Sequence, residues 1–331
     1  MKKLLLLINA TVLCCGIFAQ DANYKSQFES GYRGGYIKGI TLQEDALDFI
    51  IVGDWGRQGE YFQKAVADQM SNAAISLDLD FVISTGDNFY PDGVASPQDP
   101  LWRTSFEEVY RHFSLQKKWY VVLGNHDYRT NPQAEVEYSK ISARWTMPDR
   151  YFSKKFTIDD DTSQQVLIAF IDTNPFVTKY YEDALYGPKV STQDTAKQLQ
   201  WLRTVLSDTS ATIKWKIVVG HHPLYSGGKR IDSKDTRDIN TLLKPVFDLA
   251  KVDVYLAGHE HHLEYVKPKG NTHYINSGAG SEVLPVKLYS EIGKFAAAQA
   301  GFVTFSILPN TLLLHFIDSR GKILYTTTIK K

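Results

Sequence analysis

Gly86-Asp87-Asn88-Phe89-Tyr90 directly follows Phe81-Val82-Ile83-Ser84-Thr85, a run of β-forming residues that predicts a buried strand. The glycine allows a sharp turn at the end of this strand, where an aspartate and, three residues later, a tyrosine follow. One carboxylate can bridge two cations, and a phenolate suits a hard, highly charged cation. Because Gly-Asp-Asn is also ordinary turn chemistry, a purely structural turn is an equally good interpretation of this stretch by itself.

The composition is that of a folded globular protein. The chain has 331 residues, of which 43% are hydrophobic and 13% aromatic, so it can bury a sizeable core. Its formal net charge is zero, and we therefore predict no nucleic-acid-binding surface. Beyond the N-terminal segment, the sequence contains no stretch that is long and apolar enough to span a membrane. We expect a monomer.

The first twenty residues have the pattern of a secretory signal peptide. Met1-Lys2-Lys3 forms a short basic region, and the apolar run that follows ends at Phe18 and is too short to span a bilayer comfortably. Cleavage after Gln20 would give a secreted or periplasmic protein. Both cysteines, Cys14 and Cys15, lie in the removed segment, so the mature chain would contain no disulfide. Anchoring as a lipoprotein through Cys15 is a less favoured alternative, because Cys14 stands where a small residue is usual.

Strand and helix patterns alternate early in the chain, and short strands dominate its last third. Strands are predicted at 47–52, 81–85, 119–123, 151–158, 165–171, 215–219, 252–256, 273–276, 302–308, 312–317 and 323–329. Helices are predicted at 60–72, 101–113, 194–206 and 235–250. This order predicts an α/β fold, a four-layer α/β/β/α sandwich in which two facing mixed sheets carry helices on their outer faces. No composition break marks a second domain, so residues 21–331 are predicted to form a single domain.

The segment 174–193 fits neither pattern. It is rich in tyrosine and is interrupted by Pro175 and Pro188. Loops of this length are usually functional or mobile, and we expect one of these two roles here.

Five predicted strands end in a glycine that is followed at once by residues able to bind a metal ion. In α/β folds, ligands gather beyond the carboxyl ends of the strands, so side chains distant in sequence can meet at one edge. The residues are Asp54, Asp87 with Tyr90, Asn125 with His126, His221, and His259 with His261. Each group alone is typical of a turn or a solvent-facing position, but five groups in this order favour one shared site.

The ligand types indicate two metal ions and not one. Three histidines, two aspartates, a tyrosine and an asparagine carbonyl are too many donors for a single ion, and they suit two five- or six-coordinate ions that share Asp87. Two ions about 3.5–4 Å apart can clamp a phosphoryl group and generate a hydroxide nucleophile. The mature chain would have no cysteine, which argues against iron–sulfur clusters and thiolate-bound zinc.

The same segments carry a resemblance to a known family. The segments Gly53-Asp54, Gly86-Asp87-Asn88-Phe89-Tyr90, Gly124-Asn125-His126-Asp127, Val218-Val219-Gly220-His221 and Gly258-His259-Glu260-His261 resemble the five metal-binding blocks of the purple acid phosphatases. Further segments, Tyr138-Ser139-Lys140-Ile141-Ser142, Arg144-Trp145 and Ser277-Gly278-Ala279-Gly280, are similar to parts of the small, single-domain tartrate-resistant acid phosphatases. The resemblance extends from about residue 45 to the end of the chain and implies a metallophosphoesterase fold of the calcineurin-like type.

The resemblance implies a binuclear metallohydrolase that cleaves phosphate monoesters, an acid phosphatase. It implies an Fe(III) site formed by Asp54, Tyr90, His261 and the bridging Asp87. It implies a second site, for Fe(II), Zn(II) or Mn(II), formed by Asn125, His221, His259 and Asp87. A metal-activated hydroxide would attack phosphorus in line. His126 would bind the phosphate and protonate the leaving group, Asp127 would orient His126, and Asn125 would also lie beside the substrate.

Two positions depart from the family pattern. Nine residues after His221 stands Arg230, where the tartrate-resistant enzymes have a second substrate-side histidine. An arginine cannot act as a general acid near neutral pH but can bind phosphate with two hydrogen bonds. We therefore predict that Arg230 binds substrate, and the pH optimum stays open. His222 replaces the usual aromatic residue, and it is interpreted either as a packing residue or as a substrate contact.

Two other functions are alternatives. The first is a phosphodiesterase or nucleotide hydrolase of the wider calcineurin-like group. Those sites usually lack a tyrosinate ligand, so a visible absorption band from Tyr90 would distinguish them. The second is a non-catalytic protein that binds metal or phosphate, which measurable hydrolysis of an aryl phosphate would exclude.

Overall fold

The computed structural model describes residues 35–289 and 291–331. The predicted signal peptide, residues 1–20, and its cleavage point lie outside the described residues. All the strands and helices described below belong to one compact unit, Ile37–Lys331.

The described part of the chain forms two sheets of seven strands each. In chain order the strands are β1 Leu47–Val52, β2 Phe81–Ser84, β3 Lys118–Val121, β4 Trp145–Thr146, β5 Phe152–Ile158, β6 Asp161–Phe170, β7 Ile213–Val219, β8 Val254–Ala257, β9 Leu263–Val266, β10 His273–Ser277, β11 Gly293–Ala297, β12 Gly301–Ile307, β13 Thr311–Asp318 and β14 Ile323–Lys330. The α-helices are α1 Gln63–Leu77, α2 Pro132–Tyr138, α3 Gly187–Val190, α4 Thr195–Leu206 and α5 Lys234–Ala250. Shorter helical turns cover Trp102–Glu107, Phe113–Leu115, Asp127–Arg129, Asn174–Phe176 and Thr178–Glu182.

Both sheets are mixed, as the sequence predicts. The first has the order β14-β13-β12-β1-β2-β3-β4, in which β1 to β4 run parallel and β12 to β14 antiparallel. The second has the order β11-β9-β10-β8-β7-β6-β5, with a parallel centre of β6, β7, β8 and β10. The parallel strands direct their carboxyl ends to the same edge of each sheet, and the predicted ligands lie just after these strand ends.

Side chains that alternate along the strands build the layers. In β1, Phe49 and Ile51 belong to a buried cluster that also contains Leu256 of the second sheet, so this core lies between the two sheets. Ile50 and Val52 belong instead to a cluster that contains apolar side chains of α1, α4 and α5. The result is the predicted four-layer sandwich, with a core between the sheets and apolar contacts between the sheets and the outer helices.

Two predicted helices differ from the structure. Residues 101–113 do not form one α-helix, because a wide π-helical turn, Trp102–Glu107, places Trp102 flat on Tyr138 with 3.6 Å between the ring centroids. The helix predicted at 60–72 begins at Gln63, whose side-chain oxygen accepts hydrogen bonds from the backbone N–H groups of Arg57 and Gly59. Five of the labelled strands and α-helices were not predicted from sequence: β4, β9, β11, α2 and α3.

Candidate metal centre

Most candidate ligands follow the carboxyl ends of β1, β2, β7 and β8, and Asn125 lies in the loop after β3. Hydrogen bonds between these ends bring the two sheets together at the site. The His259 backbone N–H donates to Asp54 Oδ2 at 2.9 Å. The Nδ1 atom of His221 lies 2.9 Å from the carbonyl oxygen of Thr85. Two ligands are therefore held by groups that follow strands of the other sheet.

Three of the candidate ligands have left-handed backbone conformations. The φ angle is 58° at Asp54, 50° at Asp87 and 69° at His259. Such conformations cost a non-glycine residue about 1–3 kcal/mol and concentrate at functional sites. At Gly124 a Cβ atom would lie only 2.1 Å from the backbone nitrogen and from Oδ1 of Asp87. The close approach of the two loops therefore requires a glycine directly before Asn125.

One group of donor atoms surrounds the hydroxyl of Tyr90. This oxygen lies 3.1 Å from Asp54 Oδ1, 3.0 Å from Asp87 Oδ2 and 3.1 Å from His261 Nε2. His261 Nε2 is also 3.4 Å from Asp54 Oδ1. We call these four residues the phenol cluster.

A second group surrounds the Nε2 atom of His221. This nitrogen lies 3.3 Å from Asn125 Oδ1, 3.1 Å from His259 Nδ1 and 3.4 Å from Asp87 Oδ1. We call these four residues the imidazole cluster. Asp87 belongs to both clusters, and it presents a different carboxylate oxygen to each. The seven residues predicted as metal ligands are thus brought together in the two sets of four.

The donor geometry fits metal ions. Ligand atoms about 2.1 Å from an octahedral ion are about 3 Å from their neighbours, which is the spacing in both clusters. His221 Nδ1 faces a carbonyl oxygen, so one proton belongs on that nitrogen. Although burial opposes it, Asp87 raises the pKa of His221 to about 9, so Nε2, which faces His259 Nδ1, carries a proton that a metal ion would displace on binding. Asp54, Asp87 and His221 have donor atoms within 4.8 Å of one another, and all three are buried. Buried charges of this kind are normally paired or coordinate metals.

Electrostatics also favours cations. Burial would raise the pKa of Asp87, but His221 and His126 hold it well below its usual 3.8, so the bridging carboxylate is ionised. Burial and the carboxylates of Asp54 and Asp87 raise the pKa of the Tyr90 phenol well above its usual 10.0. Burial lowers the pKa of His259 well below 6.5, which leaves it neutral and able to coordinate.

His126 lies beside both clusters and belongs to neither. Its backbone N–H donates to Asp87 Oδ1 at 2.7 Å, and its Nδ1 atom lies 2.5 Å from the carbonyl oxygen of Pro91. The ring is 4.4 Å from that of Tyr90, and Nε2 is 3.9 Å from Asp87 Oδ2. The side chain is 21% exposed, whereas those of the neighbouring ligands are buried. The Nε2 atom is therefore open to a molecule bound at the two clusters.

The prediction that Asp127 orients His126 is wrong. The Asp127 carboxylate accepts hydrogen bonds from the backbone N–H groups of Asn88, Phe89 and Gly124. The His126 ring faces Pro91 instead. Asp127 is fully buried, and burial and Asp87 raise its pKa to about 7. Its role is to tie the loop after β2 to the loop after β3, which fixes Asp87 and Asn125 relative to each other.

His222 is a packing residue and not a substrate contact. Its side chain is fully buried, and both ring nitrogens have partners: Thr173 Oγ1 at 2.8 Å and the Tyr180 hydroxyl at 3.0 Å. The ring lies 4.4 Å from that of His259. His222 therefore packs against the candidate ligand His259, which agrees with its interpretation from sequence as a packing residue.

Arg230 lies on the wall of a cavity of about 530 Å³ that reaches Asn125 and His259. Its Nη1 atom donates to the carbonyl oxygen of His259 at 3.1 Å and to Glu260 Oε1 at 2.9 Å. The side chain is 27% exposed, so it does not extend freely into solvent.

Three residues that contact the candidate ligands were not predicted from sequence. The hydroxyl of Tyr186, in the segment 174–193, accepts a hydrogen bond from Asn125 Nδ2 at 3.4 Å. The Arg57 guanidinium covers the ring of Tyr90, and a carboxylate oxygen of Glu282 lies 3.2 Å from His261 Nδ1. The length of the segment that contains Tyr186 had indicated a functional or mobile loop, but no pattern pointed to Arg57 or Glu282.

Comparisons with known proteins give a consistent result. A family model described as calcineurin-like phosphoesterase matches residues 47–263. Purple acid phosphatase 17 of Arabidopsis thaliana is 35% identical over 87% of this chain and 86% of its own length. Tartrate-resistant acid phosphatase type 5 of Mus musculus is 30% identical over 88% of this chain and 92% of its own length.

Two solved structures share the fold. GAP50, described as the anchor in the inner membrane complex of Plasmodium, aligns with a TM-score of 0.72 at 25% identity and covers 87% of this chain and 89% of its own. The purple acid phosphatase PPD1 from yellow lupin seeds aligns with a TM-score of 0.63 at 17% identity, over 87% of this chain and 54% of its own.

Proposed function

Because the chain belongs to the purple acid phosphatases within the calcineurin-like phosphoesterase family, we propose that its phenol and imidazole clusters hold the two metal ions of that chemistry. The protein is an acid phosphatase, a metallohydrolase with a binuclear centre that hydrolyses phosphate monoesters. The observation that carries the proposal is the position of Asp87, which gives one oxygen to each cluster. When bound, two such ions polarise the phosphoryl group and activate the water that attacks it.

We propose Fe(III) for the phenol cluster and Fe(II), Zn(II) or Mn(II) for the imidazole cluster. The phenol of Tyr90 keeps its proton near neutral pH unless a strong cation replaces it, because burial and two carboxylates disfavour the phenolate. Of these ions, a trivalent one competes best for that oxygen. Asn125, His221 and His259 offer a neutral carbonyl and imidazoles, which suit a divalent ion.

His126 is proposed to act on the substrate. A proton on Nδ1 satisfies the Pro91 carbonyl, so Nε2 is the atom that faces the phosphate or the leaving oxygen. When Nε2 is also protonated, the ring can bind a phosphoryl oxygen or donate its proton to the departing alkoxide.

Arg230 is proposed to bind the phosphate ester in the cavity beside the imidazole cluster. Glu260 and the carbonyl of His259 engage Nη1, and Glu260 also raises the pKa of the guanidinium, so its charge persists over the whole working pH range. Arginine can bind phosphate with two parallel hydrogen bonds. Arg230, nine residues after His221, would therefore bind an anion at this position without changing its own charge with pH.

The phosphodiesterase alternative has less support, because Tyr90 lies among the donors of the phenol cluster. We further propose that residues 1–20 are a signal peptide, that 21–331 form one secreted or periplasmic domain, and that the protein is a monomer. In the part of the chain that the structure describes, none of the helices is both long and apolar enough to cross a membrane.

Hydrolysis of p-nitrophenyl phosphate, measured together with the absorption spectrum, tests the function and the iron assignment. We expect turnover and a visible charge-transfer band in the parent protein, and no band in Tyr90→Phe. Absence of turnover in metal-loaded parent protein would refute the phosphatase assignment. A Tyr90→Phe variant with an unchanged band would refute the role of Tyr90.

A further inference from the structure

Arg57 is placed directly on the ring of Tyr90. Its Cζ atom lies 3.8 Å from the centroid of this ring and 4.9 Å from that of Tyr61, so the guanidinium lies against both rings. Arg57 Nε donates to Ser281 Oγ at 3.1 Å, and Nη2 forms an ion pair with Glu282 Oε2 at 2.7 Å. Only 16% of the Arg57 side chain is exposed, so the arrangement is fixed by packing and hydrogen bonds.

Glu282 extends this contact to a second member of the phenol cluster. Its Oε2 atom lies 3.2 Å from His261 Nδ1, the ring nitrogen opposite the Nε2 atom that faces Tyr90. One carboxylate oxygen thus contacts both Arg57 and His261. Two of the four donor residues of the cluster, the phenol and the imidazole, are contacted from outside by a linked cation and anion.

We propose that Arg57 and Glu282 are positioning residues that tune the phenol cluster in opposite directions, Arg57 by weakening electron donation from Tyr90 and Glu282 by strengthening donation from His261. The proposal rests on the proposed function, because it concerns the ion assigned to this cluster. It adds two residues that the resemblance from sequence did not include.

The direction of each effect follows from electrostatics. A cation over the face of an aromatic ring is attracted to its π electrons and lowers their energy. Arg57 therefore makes the phenolate a weaker donor and disfavours the higher oxidation state of the bound ion. The negative charge of the Glu282 carboxylate, 3.2 Å from the outer nitrogen of His261, makes this imidazole a stronger electron donor. Glu282 therefore favours the higher oxidation state.

The imidazole cluster has a different environment. Arg230 lies beside His259, and its Nη1 atom donates to the backbone carbonyl oxygen of that residue. Among the described residues near that cluster, His259 Nε2 lies 3.7 Å from Asp235 Oδ2, a longer contact than the 3.2 Å between His261 and Glu282. Asp235 also has a cationic partner, Lys179 at 2.6 Å, so each cluster has a linked carboxylate and cation nearby. At the phenol cluster the carboxylate is closer to its histidine, and the cation lies against the ring of a candidate ligand.

The test measures the charge-transfer band and the midpoint potential of the iron in four variants: Arg57→Gln, Arg57→Lys, Glu282→Gln and the control Arg103→Gln. Arg103 pairs with Glu108 at 3.3 Å on the surface, so the control removes an exposed arginine ion pair. Iron content is measured in each variant. We expect Arg57→Gln to shift the band to longer wavelength and to lower the midpoint potential.

Glu282→Gln is expected to raise the potential, opposite to Arg57→Gln, and Arg103→Gln to match the parent. Arg57→Lys keeps the charge and loses the planar contact, so its potential is expected between those of the parent and Arg57→Gln. If Arg57→Gln fails to bind iron, the proposal is tested with Arg57→Lys, whose charge-transfer band must still move toward longer wavelength.

An Arg57→Gln band and potential equal to those of the parent would overturn the proposal, as would shifts of the same sign in Arg57→Gln and Glu282→Gln. A parent protein without a charge-transfer band would show instead that the iron assignment of the proposed function has failed, and the tuning role would fall with it.

Discussion

Replacing His126 with alanine separates chemistry from metal binding. The ring takes part in neither cluster, and its hydrogen bond to Asp87 comes from the backbone N–H, which alanine keeps. The side chain is already 21% exposed, and the substitution removes only its approach to the Pro91 carbonyl and its packing against the ring of Tyr90. We therefore expect both ions to stay bound and stability to fall by no more than about 1 kcal/mol.

The rate of His126→Ala should nevertheless fall by about 10²–10⁴-fold, the usual contribution of a positioned general acid. That range corresponds to about 3–5 kcal/mol of transition-state stabilisation. The loss should depend on the leaving group, because p-nitrophenolate departs without a proton whereas an alkoxide needs one. The assay compares kcat for p-nitrophenyl phosphate with kcat for a simple alkyl phosphate, together with metal content per chain.

His126→Asn is the matched control, since it keeps a polar group at the position and cannot donate a proton to an alkoxide. It should show the same dependence on the leaving group as His126→Ala. Equal losses for the aryl and alkyl substrates, or loss of a metal ion from His126→Ala, would refute the reasoning.

Three further predictions follow from other parts of the structure. Arg230→His should move the pH optimum toward acid and raise KM near neutral pH, since the histidine loses its charge around pH 6.5. Lys229→His, at the exposed neighbouring position, is the control. If the pH–rate profile of Arg230→His matches those of the parent and of Lys229→His, Arg230 does not bind substrate. Asp127→Ala should lower the free energy of unfolding by about 3–5 kcal/mol in urea titrations, because three buried backbone N–H groups lose their acceptor. A loss below about 1 kcal/mol would contradict the role of Asp127 in holding the loops after β2 and β3 together. Burial raises the pKa of Asp48 to about 7, so between about pH 4 and pH 7 the folded state keeps a proton that the unfolded state has released, and the free energy of unfolding falls as the pH rises. Asp48→Asn should remove that fall and be more stable than the parent by up to about 4 kcal/mol at pH 8. Parallel curves of stability against pH for the two proteins would refute the assignment.

Local pattern was enough to predict eleven of the fourteen strands and to place the candidate ligands at the ends of strands. The strands that carry the site are short apolar runs that end in glycine, and the requirement for glycine has a visible cause at Gly124, where a side chain would collide with Asp87. Those signals are local in sequence, so they can be found without knowledge of the fold. The grouping of the donors into two sets of four agrees with what the family resemblance implied.

What the sequence could not give depends on contacts across long separations. The Asp127 carboxylate follows His126 directly, which favoured an orienting role, yet its hydrogen bonds reach back to the loop after β2. Arg57 and Glu282 are 225 residues apart, and neither lies in a segment that suggests a partner. The sequence left His222 open as a packing residue or a substrate contact, and only its buried contacts with Thr173 and Tyr180 show that it is packed.

The number of metal ions per chain in the parent protein and in Asp87→Asn tests the central claim most directly. Both proteins are purified without added metal and analysed for iron, zinc and manganese. Under the proposed assignment, one of the ions in the parent is iron. The structure predicts two ions per chain in the parent, because each cluster has four donors and Asp87 supplies one oxygen to each. It predicts that Asp87→Asn loses one or both ions. An Asp87→Asn protein that keeps two ions per chain and normal turnover would contradict the account.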